Sequence, residues 1–327
     1  MAAASSAPRL QRLCASGDSS RTPHRTLRST SRGARPCCQV SSGRDVVIDA
    51  CGPFHQRTTI LLEVAIKVGL DVVDLSDNLG YALAVQAMDE RLKAAAVRVF
   101  TSCSAVSAVT AAAVRKSGVQ EPIRVSVCLL PAGCDTSSSG TAASLLRSLS
   151  CPIHVLHDDH LTAAIGWSRS KVFRVPFGRG EVRGYLAESA DAVTLPRVWP
   201  SLRDVDFFVD TQVVGLNRLI ATALRLPAGA RLLERLVPVA VPLARLVGSR
   251  AGGYVVEVVA NDGRVATTAL VAQRRSYLAA VLPATVVARS LASGNSPQPG
   301  VVPPDRHYDP DELFGELRKL GTEIHQY

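Results

Sequence analysis

The sequence predicts an α/β protein in which a parallel sheet is followed by an α+β region with a largely antiparallel sheet. From Asp45 onward, short β-branched runs alternate with helical patterns, which is typical of βαβ units. Beyond Pro131, apolar and polar residues alternate in shorter segments joined by turn residues, which is typical of antiparallel strands. The chain has 327 residues, of which 47% are hydrophobic and 20% charged. This composition predicts a folded chain with a large core and excludes collagen-like and disulfide-scaffold classes.

The first half of the prediction consists of alternating strands and helices. The β-branched run 46–48 predicts a buried parallel strand that ends at the loop containing Gly52 and Pro53. Apolar residues at helical spacing then predict a helix that ends at Gly69. Further strands are predicted at 70–77, 97–104 and 123–130, and further helices at 81–97 and 105–118. We expect these units to form a right-handed, doubly wound parallel sheet.

The second half is predicted to contain hairpins, helices and a long surface loop. The predicted elements are two strands around Asp158-Asp159, a strand at 204–214, helices at 216–226 and 228–247, a hairpin at 252–273, a loop at 293–305 and a final helix at 309–321. The hairpin has Asn261-Asp262-Gly263 at its turn, a sequence suited to a tight reversal. The final helix begins with carboxylates and ends with basic residues and a glycine.

The net charge of +9 is concentrated in residues 1–44. This segment contains eight arginines, no lysine and one acid, so it carries +7 and the other 283 residues carry +2. It is rich in serine and lacks isoleucine and aromatic residues, so we expect a disordered leader. Such a composition is typical of an organellar transit peptide, and it fits equally a tail without function or upstream DNA translated in the wrong frame.

The cysteines and the most apolar segment bear on localisation. None of the eight cysteines forms a CxxC pair and no secretory signal is present, so we expect free thiols in a reducing compartment. The predicted location is the cytoplasm, or an organelle if the leader is a transit peptide. The segment 232–247 is too short and too often interrupted by charge and proline to span a membrane. It predicts an amphipathic or buried helix.

The candidate site residues follow the first two predicted strands. Ligands of doubly wound sheets bind beyond the carboxyl ends of the strands. Here those ends carry small and polar residues, so we expect Gly52 to let the backbone approach a ligand. Asp74, Ser76 and Asp77 are expected to bond ribose or substrate hydroxyls. The alternative is that Gly52-Pro53 is only a turn and that the Asp/Ser cluster caps the next helix.

Several motifs that would define other activities are missing. No GxGxxG sequence, which binds a dinucleotide pyrophosphate at a helix N-terminus, links a strand to a helix. The chain also has no GxSxG, GxxxxGK[ST] or HExxH motif, which argues against the common hydrolase, P-loop and zincin classes. Aromatic residues make up only 5%, so no nucleic-acid partner is expected. The catalytic residues remain unassigned.

Three histidines form an H-x2-H-x2-H sequence that superficially matches a metal site. They are His154, His157 and His160. In a strand, this odd spacing directs successive side chains to opposite faces, so the turn itself would have to gather them around one ion. We therefore predict a solvated hairpin tip and no metal site.

The segment from Asp45 to 109 carries a family resemblance. It contains "ACGPF" after its first strand and "DLSD" after its second, and this arrangement resembles the saccharopine dehydrogenase-like oxidoreductases. The likeness covers 283 residues and continues in weaker form through "SLRDVDFFVDTQVVGLNRLIATAL", "GGYVVEVVANDG", "YLAAVLPATVVARSLASG" and "DPDELFGELRKLG".

The resemblance implies a Rossmann-type NAD(P)-binding domain with an inserted α+β domain. Four segments follow from it: a disordered leader at 1–44, a partial NAD(P)-binding domain at 45–130, a second domain at 131–276, and C-terminal helices at 277–327 that return to the first domain. It places the cofactor near Cys51, Gly52, Pro53, Phe54, Asp74, Ser76 and Asp77, and it leaves both NAD and NADP as candidates.

The sequence departs from the family at its start, where the leader stands in place of a glycine-rich turn. We therefore expect an NAD(P)-dependent oxidoreductase that is impaired in cofactor binding, with an exposed sheet edge, reduced stability and a tendency to form homo-oligomers. Its small-molecule substrate is not assigned. The alternative is a non-catalytic protein that uses the inserted domain and the 232–247 helix for oligomerisation or association with a membrane surface.

Overall fold

A computed structural model describes residues 45–136, 148–149, 151–176, 180–226 and 229–327. The predictions for residues 1–44 lie outside this part of the chain. The described residues form a four-stranded parallel sheet and a nine-stranded, mostly antiparallel sheet. This confirms the predicted fold class, a partial Rossmann-type sheet combined with a second, largely antiparallel sheet.

Three of the four strands of the parallel sheet were predicted from the apolar runs, and the fourth lies in the segment 293–305, which was wrongly predicted to be a surface loop. Its strands are β1 (Val46–Asp49), β2 (Asp71–Asp74), β3 (Arg98–Phe100) and β12 (Gly300–Val301), in the order β1-β2-β3-β12. Its helices are α1 (Ile60–Val68), α2 (Leu79–Gln86), α3 (Asp89–Ala94) and α4 (Ala108–Lys116). Helix α1 ends at Gly69, whose φ of 73° is the left-handed C-cap conformation that the sequence predicts. Because the strands are parallel, their carboxyl ends lie at one edge of the sheet. Asp49, at the end of β1, is in register with Asp74, at the end of β2.

The second sheet has the order β13-β11-β10-β4-β9-β5-β6, and β7 joins it through β8, which pairs with β9. Its strands are β4 (Pro122–Leu130), β5 (Pro152–His157), β6 (His160–Ile165), β7 (Ser170–Arg174), β8 (Glu181–Ala187), β9 (Asp204–Val209), β10 (Gly252–Ala260), β11 (Val265–Ala272) and β13 (Thr322–Gln326). Both predicted hairpins, β5-β6 and β10-β11, are present. The turn of the second contains Gly263 with a φ of 84°.

Strand β4 was predicted in the wrong sheet. It does not join the parallel sheet but lies at the centre of the second, antiparallel to β10 and parallel to β9. The wrong prediction has a physical reason, which is that β4 is buried on both faces. Val125, Val127 and Cys128 are all fully buried. A strand covered on both faces has a continuous apolar sequence whether its neighbours are parallel or antiparallel, so periodicity does not distinguish the two.

The C-terminal segment contributes to both sheets. The remaining helices are α5 (Gly133–Thr136), α6 (Asp191–Thr194), α7 (Leu216–Ala223), α8 (Gly229–Val247), α9 (Leu278–Ala292) and α10 (Pro310–Lys319). In α9, Ala284 and Val287 pack into a core cluster with Val73 and Phe100 of the parallel sheet. Strand β13 was not predicted, because the short sequence "TEIHQ" lacks a β-branched or alternating apolar run. The domain boundaries at 130 and 276 stay predictions.

The length and the apolar content of the described helices decide whether any of them could span a membrane. None of them is both long enough and apolar enough to cross a bilayer. Helix α8, which contains Pro238 and Pro242, is continuous over 19 residues and carries apolar side chains on a solvent-exposed face. The buried-helix interpretation of this segment is therefore wrong, and the amphipathic one is confirmed.

Strand β1 has an open edge, and this leads to a prediction about self-association. It pairs with β2 on one side, and its other side has no partner strand among the described residues. Ile48 of this strand is 42% exposed. Because an unpaired apolar edge favours pairing with another chain, Ile48→Lys is expected to reduce self-association across a concentration series measured by light scattering. Ile60→Lys, at an exposed helix position, is the control, and an equal effect of both would contradict an edge-specific contact.

Candidate functional site

A cavity of about 780 Å³ lies at the carboxyl edge of the parallel sheet. One wall is formed by the loops that follow β1, β2 and β3, with Gly52, Asp77 and Ser104 among the lining residues. The opposite wall is a face of the second sheet that includes Tyr254. Helix α9 adds Ala280. The cavity therefore occupies the position at which open α/β sheets bind their ligands.

The loop after β1 is held by hydrogen bonds to Asp49, the last residue of the strand. The Asp49 carboxylate accepts a hydrogen bond from the Cys51 amide at 3.0 Å and pairs with the Arg57 guanidinium at 3.0 Å. Phe54 is buried, and its ring centroid lies 5.3 Å from that of Tyr81 on α2. These contacts fix the "GPF" segment along the cavity wall and anchor it to α2.

The loop after β2 is held by the fully buried carboxyl of Asp74. Its Oδ1 accepts hydrogen bonds from the Ser76 amide at 3.0 Å and the Ser102 amide at 2.9 Å. Its Oδ2 is buried and has no hydrogen-bond partner among the described residues. Burial raises the pKa of Asp74 to about 6, although the two amides act in the opposite direction. Asp74 thus joins the ends of β2 and β3 from inside the protein.

The structure divides the seven predicted cofactor-binding residues into two groups. Those that line the cavity are Gly52, Pro53, Phe54 and Asp77, and those that do not are Cys51, Asp74 and Ser76. The Ser76 hydroxyl accepts a hydrogen bond from the Asn78 amide at 3.1 Å, and Asn78, rather than the Asp/Ser cluster, caps α2 by accepting from the Tyr81 amide. A role in cofactor binding stays a prediction for all seven.

A buried hydrogen-bond network that includes Tyr254 of the cavity wall was not predicted from the sequence. The Tyr254 hydroxyl lies 2.8 Å from the Thr110 hydroxyl, which donates to Asp191 Oδ2 at 3.2 Å. Asp191 Oδ1 accepts from the Ser107 amide at 2.6 Å. Burial raises the pKa of Asp191 to about 6 and that of Tyr254 well above its usual value.

These hydrogen bonds connect Tyr254, a residue of the cavity wall, to a buried carboxyl group. The members of the network come from α4, α6 and β10, which are far apart in the sequence. The local sequence indicates only that Tyr254 belongs to an apolar strand, because β10 contains a single charged residue, Glu257.

The three histidines lie on the β5-β6 hairpin, where His157 pairs with His160 across the turn. His157 Nδ1 lies 2.8 Å from Asp204 Oδ1, and Asp158 is close enough to complete a possible group of three metal ligands. However, the Arg124 guanidinium lies 2.8 Å from Asp204 Oδ2. Its positive charge opposes a bound cation, and the prediction that the chain has no metal site is untested.

The described residues do not fit the pyrophosphate of a dinucleotide. The loops that join β1 to α1, β2 to α2 and β3 to α4 contain one glycine in total, Gly52. Gly52 is followed by Pro53 and a three-residue 3₁₀ helix, not by an open helix N-terminus. The tight turn and close backbone approach that a pyrophosphate requires are therefore not provided by these loops.

The fold and the position of the cavity define a class of architecture, a Rossmann-type sheet combined with a second, largely antiparallel sheet. No protein-family model matches the chain, and no curated protein matches it.

Among solved structures, the chain is similar to apo saccharopine dehydrogenase (L-Glu forming) from Saccharomyces cerevisiae. The TM-score is 0.55 at 14% identity, over 86% of this chain and 84% of that one. Weaker similarity extends to a dehydrogenase from Clostridium difficile, with TM-score 0.31 at 6% identity over 84% and 77% of the two chains. It extends also to an oxidoreductase from Agrobacterium radiobacter in complex with NAD+, L-tartaric acid and magnesium, with TM-score 0.28 at 12% identity over 84% and 76%. The first of these similarities establishes a shared fold.

Proposed function

We propose that the chain is a saccharopine dehydrogenase-like, NAD(P)-dependent type of oxidoreductase in which the dinucleotide binds weakly. The observation that carries the proposal is the cavity at the carboxyl edge of β1, β2 and β3, lined by the "GPF" loop and Asp77. In this proposal, the nicotinamide ribose end of the cofactor binds beside Gly52 and the substrate binds deeper, towards Tyr254.

The geometry at Gly52 supports contact with a ligand. A Cβ built on Gly52 would approach no atom outside its immediate neighbours closer than 4.0 Å. The backbone at this point is therefore open on the side where a side chain would project. A ring or ribose can approach the peptide directly at such a position.

The proposed weak affinity follows from the same loops. A dinucleotide gains much of its affinity and its orientation from pyrophosphate oxygens bound by backbone amides at a helix N-terminus. The loops of this sheet supply no such turn, so only the nicotinamide mononucleotide half is expected to find partners. The adenylate half is then expected to add little to the binding free energy.

A calorimetric comparison of two ligands tests this proposal. Reduced nicotinamide mononucleotide and NADPH are expected to bind the full chain with similar affinity, with a dissociation constant weaker than about 0.1 mM. Micromolar binding of NADPH would contradict the proposed loss of affinity. Absence of binding by both ligands at millimolar concentration would contradict the proposed site itself.

A cavity-filling variant tests where the ligand binds. Ala280→Phe places a bulky ring on the cavity wall and is expected to abolish binding of the mononucleotide. Ala292→Phe is the matched control, because it makes the same change at an exposed position of the same helix outside the cavity. Equal effects of the two variants on calorimetric affinity would show that the mononucleotide does not bind in this cavity.

A further inference from the structure

Helix α8 presents an apolar stripe to solvent. The stripe consists of Leu232 (52% exposed), Leu236 (49%), Val239 (67%), Leu243 (52%) and Leu246 (81%). Successive side chains of the stripe are separated by four, three, four and three residues. At 100° per residue this spacing places them within about 80° of arc on the helix. Leu233, on another face of α8, packs against the main core. The stripe is therefore a second apolar face, and no described residue covers it.

Helix α7 and its flanks also expose apolar side chains. Val214 is 81% exposed, Leu219 63% and Leu226 60%. Eight large apolar side chains are therefore exposed among the described side chains of residues 214–250, and such a concentration on a protein surface marks a site of contact with another component. Helices α7 and α8 also contact each other. We refer to the exposed side chains that the structure describes within 214–226 and 229–250 as the α7-α8 face.

The α7-α8 face is also strongly basic. Residues 214–250 contain six arginines and one glutamate, a net charge of +5. Residues 45–327 as a whole carry only +2, so the rest of this part of the chain carries −3. Arg218, Arg225, Arg231 and Arg235 are exposed, and none has a salt-bridge partner among the described residues. Positive charge is thus concentrated on the face that exposes the apolar stripe.

The arginines flank the stripe on the helix. Arg231 and Arg235 each precede a leucine of the stripe by one residue, so both lie beside it on the same flank of α8. An apolar stripe bordered by arginines is the arrangement of helices that lie in the interface of a membrane, with leucines among the acyl chains and cations at the headgroups. Since α8 is not a candidate membrane span, this arrangement fits a position along the surface.

We propose that the α7-α8 face binds the surface of an anionic phospholipid membrane. This inference concerns a surface outside the cavity and does not depend on the proposed oxidoreductase function. A second copy of the chain is a less suitable occupant, because two faces with a charge of +5 each would repel one another. An anionic lipid surface satisfies both features of the face, since it offers negative headgroups and an apolar interior.

The face is fixed to the body of the protein near the cavity. The Cys134 thiol of α5 donates to the Gly248 carbonyl at 2.8 Å, and the Cys134 amide donates to the Ser249 carbonyl at 3.1 Å. Asp135 and Thr136 of the same short helix line the cavity. Membrane binding through α8 would therefore hold the cavity close to the lipid surface.

Vesicle flotation tests the proposal with the full chain. Vesicles of phosphatidylcholine alone are compared with vesicles that also contain phosphatidylserine, at low and at physiological salt. We expect flotation with the anionic vesicles, weakened by salt because screening reduces the attraction. Arg231→Gln/Arg235→Gln is expected to lower the partition coefficient about thirtyfold. Val239→Ser/Leu246→Ser is expected to lower it about a hundredfold.

Matched variants control for charge and hydrophobicity in general. Arg203→Gln/Arg318→Gln removes the same charge at exposed positions outside the face, and Ile60→Ser/Ile165→Ser removes exposed apolar side chains elsewhere. Both are expected to float like the parent chain. Thermal unfolding followed by circular dichroism establishes whether each variant is folded. We expect all of them to fold, because the substituted side chains are exposed.

Three results would overturn the proposal. The first is absence of flotation with anionic vesicles at low salt, and the second is equal flotation with neutral vesicles. The third is a dimer in solution that Val239→Ser/Leu246→Ser converts to a monomer while the parent chain fails to float. That outcome would assign the stripe to a second copy of the chain.

Discussion

Asp74→Asn is expected to stabilise the protein by about 3 kcal/mol at pH 7, which is the free energy of a shift of about two pKa units at a buried site. The pKa of Asp74 is raised from 3.8 to about 6 by burial. Asparagine retains a carbonyl oxygen for the amides of Ser76 and Ser102, and it has no charge to bury. The stabilisation is therefore expected without loss of the two hydrogen bonds that join β2 to β3.

The pH dependence of this effect has a defined sign. Between pH 3.8 and about 6, the native state holds a proton on Asp74 that the unfolded state has released. The contribution of this group to stability is therefore present below pH 3.8 and is lost as the pH rises through 6. The difference in unfolding free energy between Asp74→Asn and the parent chain is expected to be small at pH 4, to grow up to pH 6 and then to level off.

Urea unfolding over this pH range measures the difference. Asp74→Ala is the control, because it removes the charge and also leaves the Ser76 and Ser102 amides without their acceptor, which costs about 1 to 3 kcal/mol for each buried group. The explanation would be wrong if Asp74→Asn were as unstable as Asp74→Ala at pH 7, since that result would mean that the charged carboxylate stabilises the loop.

Phe54→Ala is expected to destabilise the protein by about 3 kcal/mol, as is usual for truncation of a buried aromatic residue. Phe54 is only 5% exposed, and its ring packs against Tyr81. Its loss would remove the contact that anchors the cavity loop to α2. Phe54→Leu is expected to cost less than about 1.5 kcal/mol, because it keeps most of the buried volume.

Thermal and urea unfolding check this result, and Gln56→Ala is the control at an exposed position in the same 3₁₀ turn. If Phe54→Ala were as stable as this control, the ring would not be a structural anchor and its conformation would have to differ from the one described. Retention of mononucleotide binding by Phe54→Leu would further show that the ring is not itself required for the ligand.

The strands and the candidate edge of the site could be predicted because their signals are local. A β-branched run followed by Gly52-Pro53 identifies β1 and its loop, and the carboxyl-end rule then points to Asp77. Burial of Asp74 could not be predicted in the same way. It depends on the Ser102 amide, which β3 brings to within 2.9 Å and which is 28 residues away in the sequence.

The other wall of the cavity is determined by contacts between distant parts of the chain. Tyr254 reaches it because β10 pairs with β4, and Ala280 reaches it because α9 packs against the parallel sheet. Neither contact could be predicted from the local sequence. The exposure of α8 is a similar case, since an apolar stripe at helical spacing usually faces a core and only the three-dimensional arrangement shows that this one does not.

An amide chemical-shift map of the full chain, titrated with reduced nicotinamide mononucleotide, would show where this ligand binds. The largest shifts are expected around the cavity, at Gly52, Phe54, Asp77 and Ser104, and Ala280→Phe is expected to remove them. Shifts confined to the α7-α8 face or to the outer strands β5 and β6, or no shifts at millimolar ligand, would contradict the claim that this carboxyl-edge cavity is the binding site.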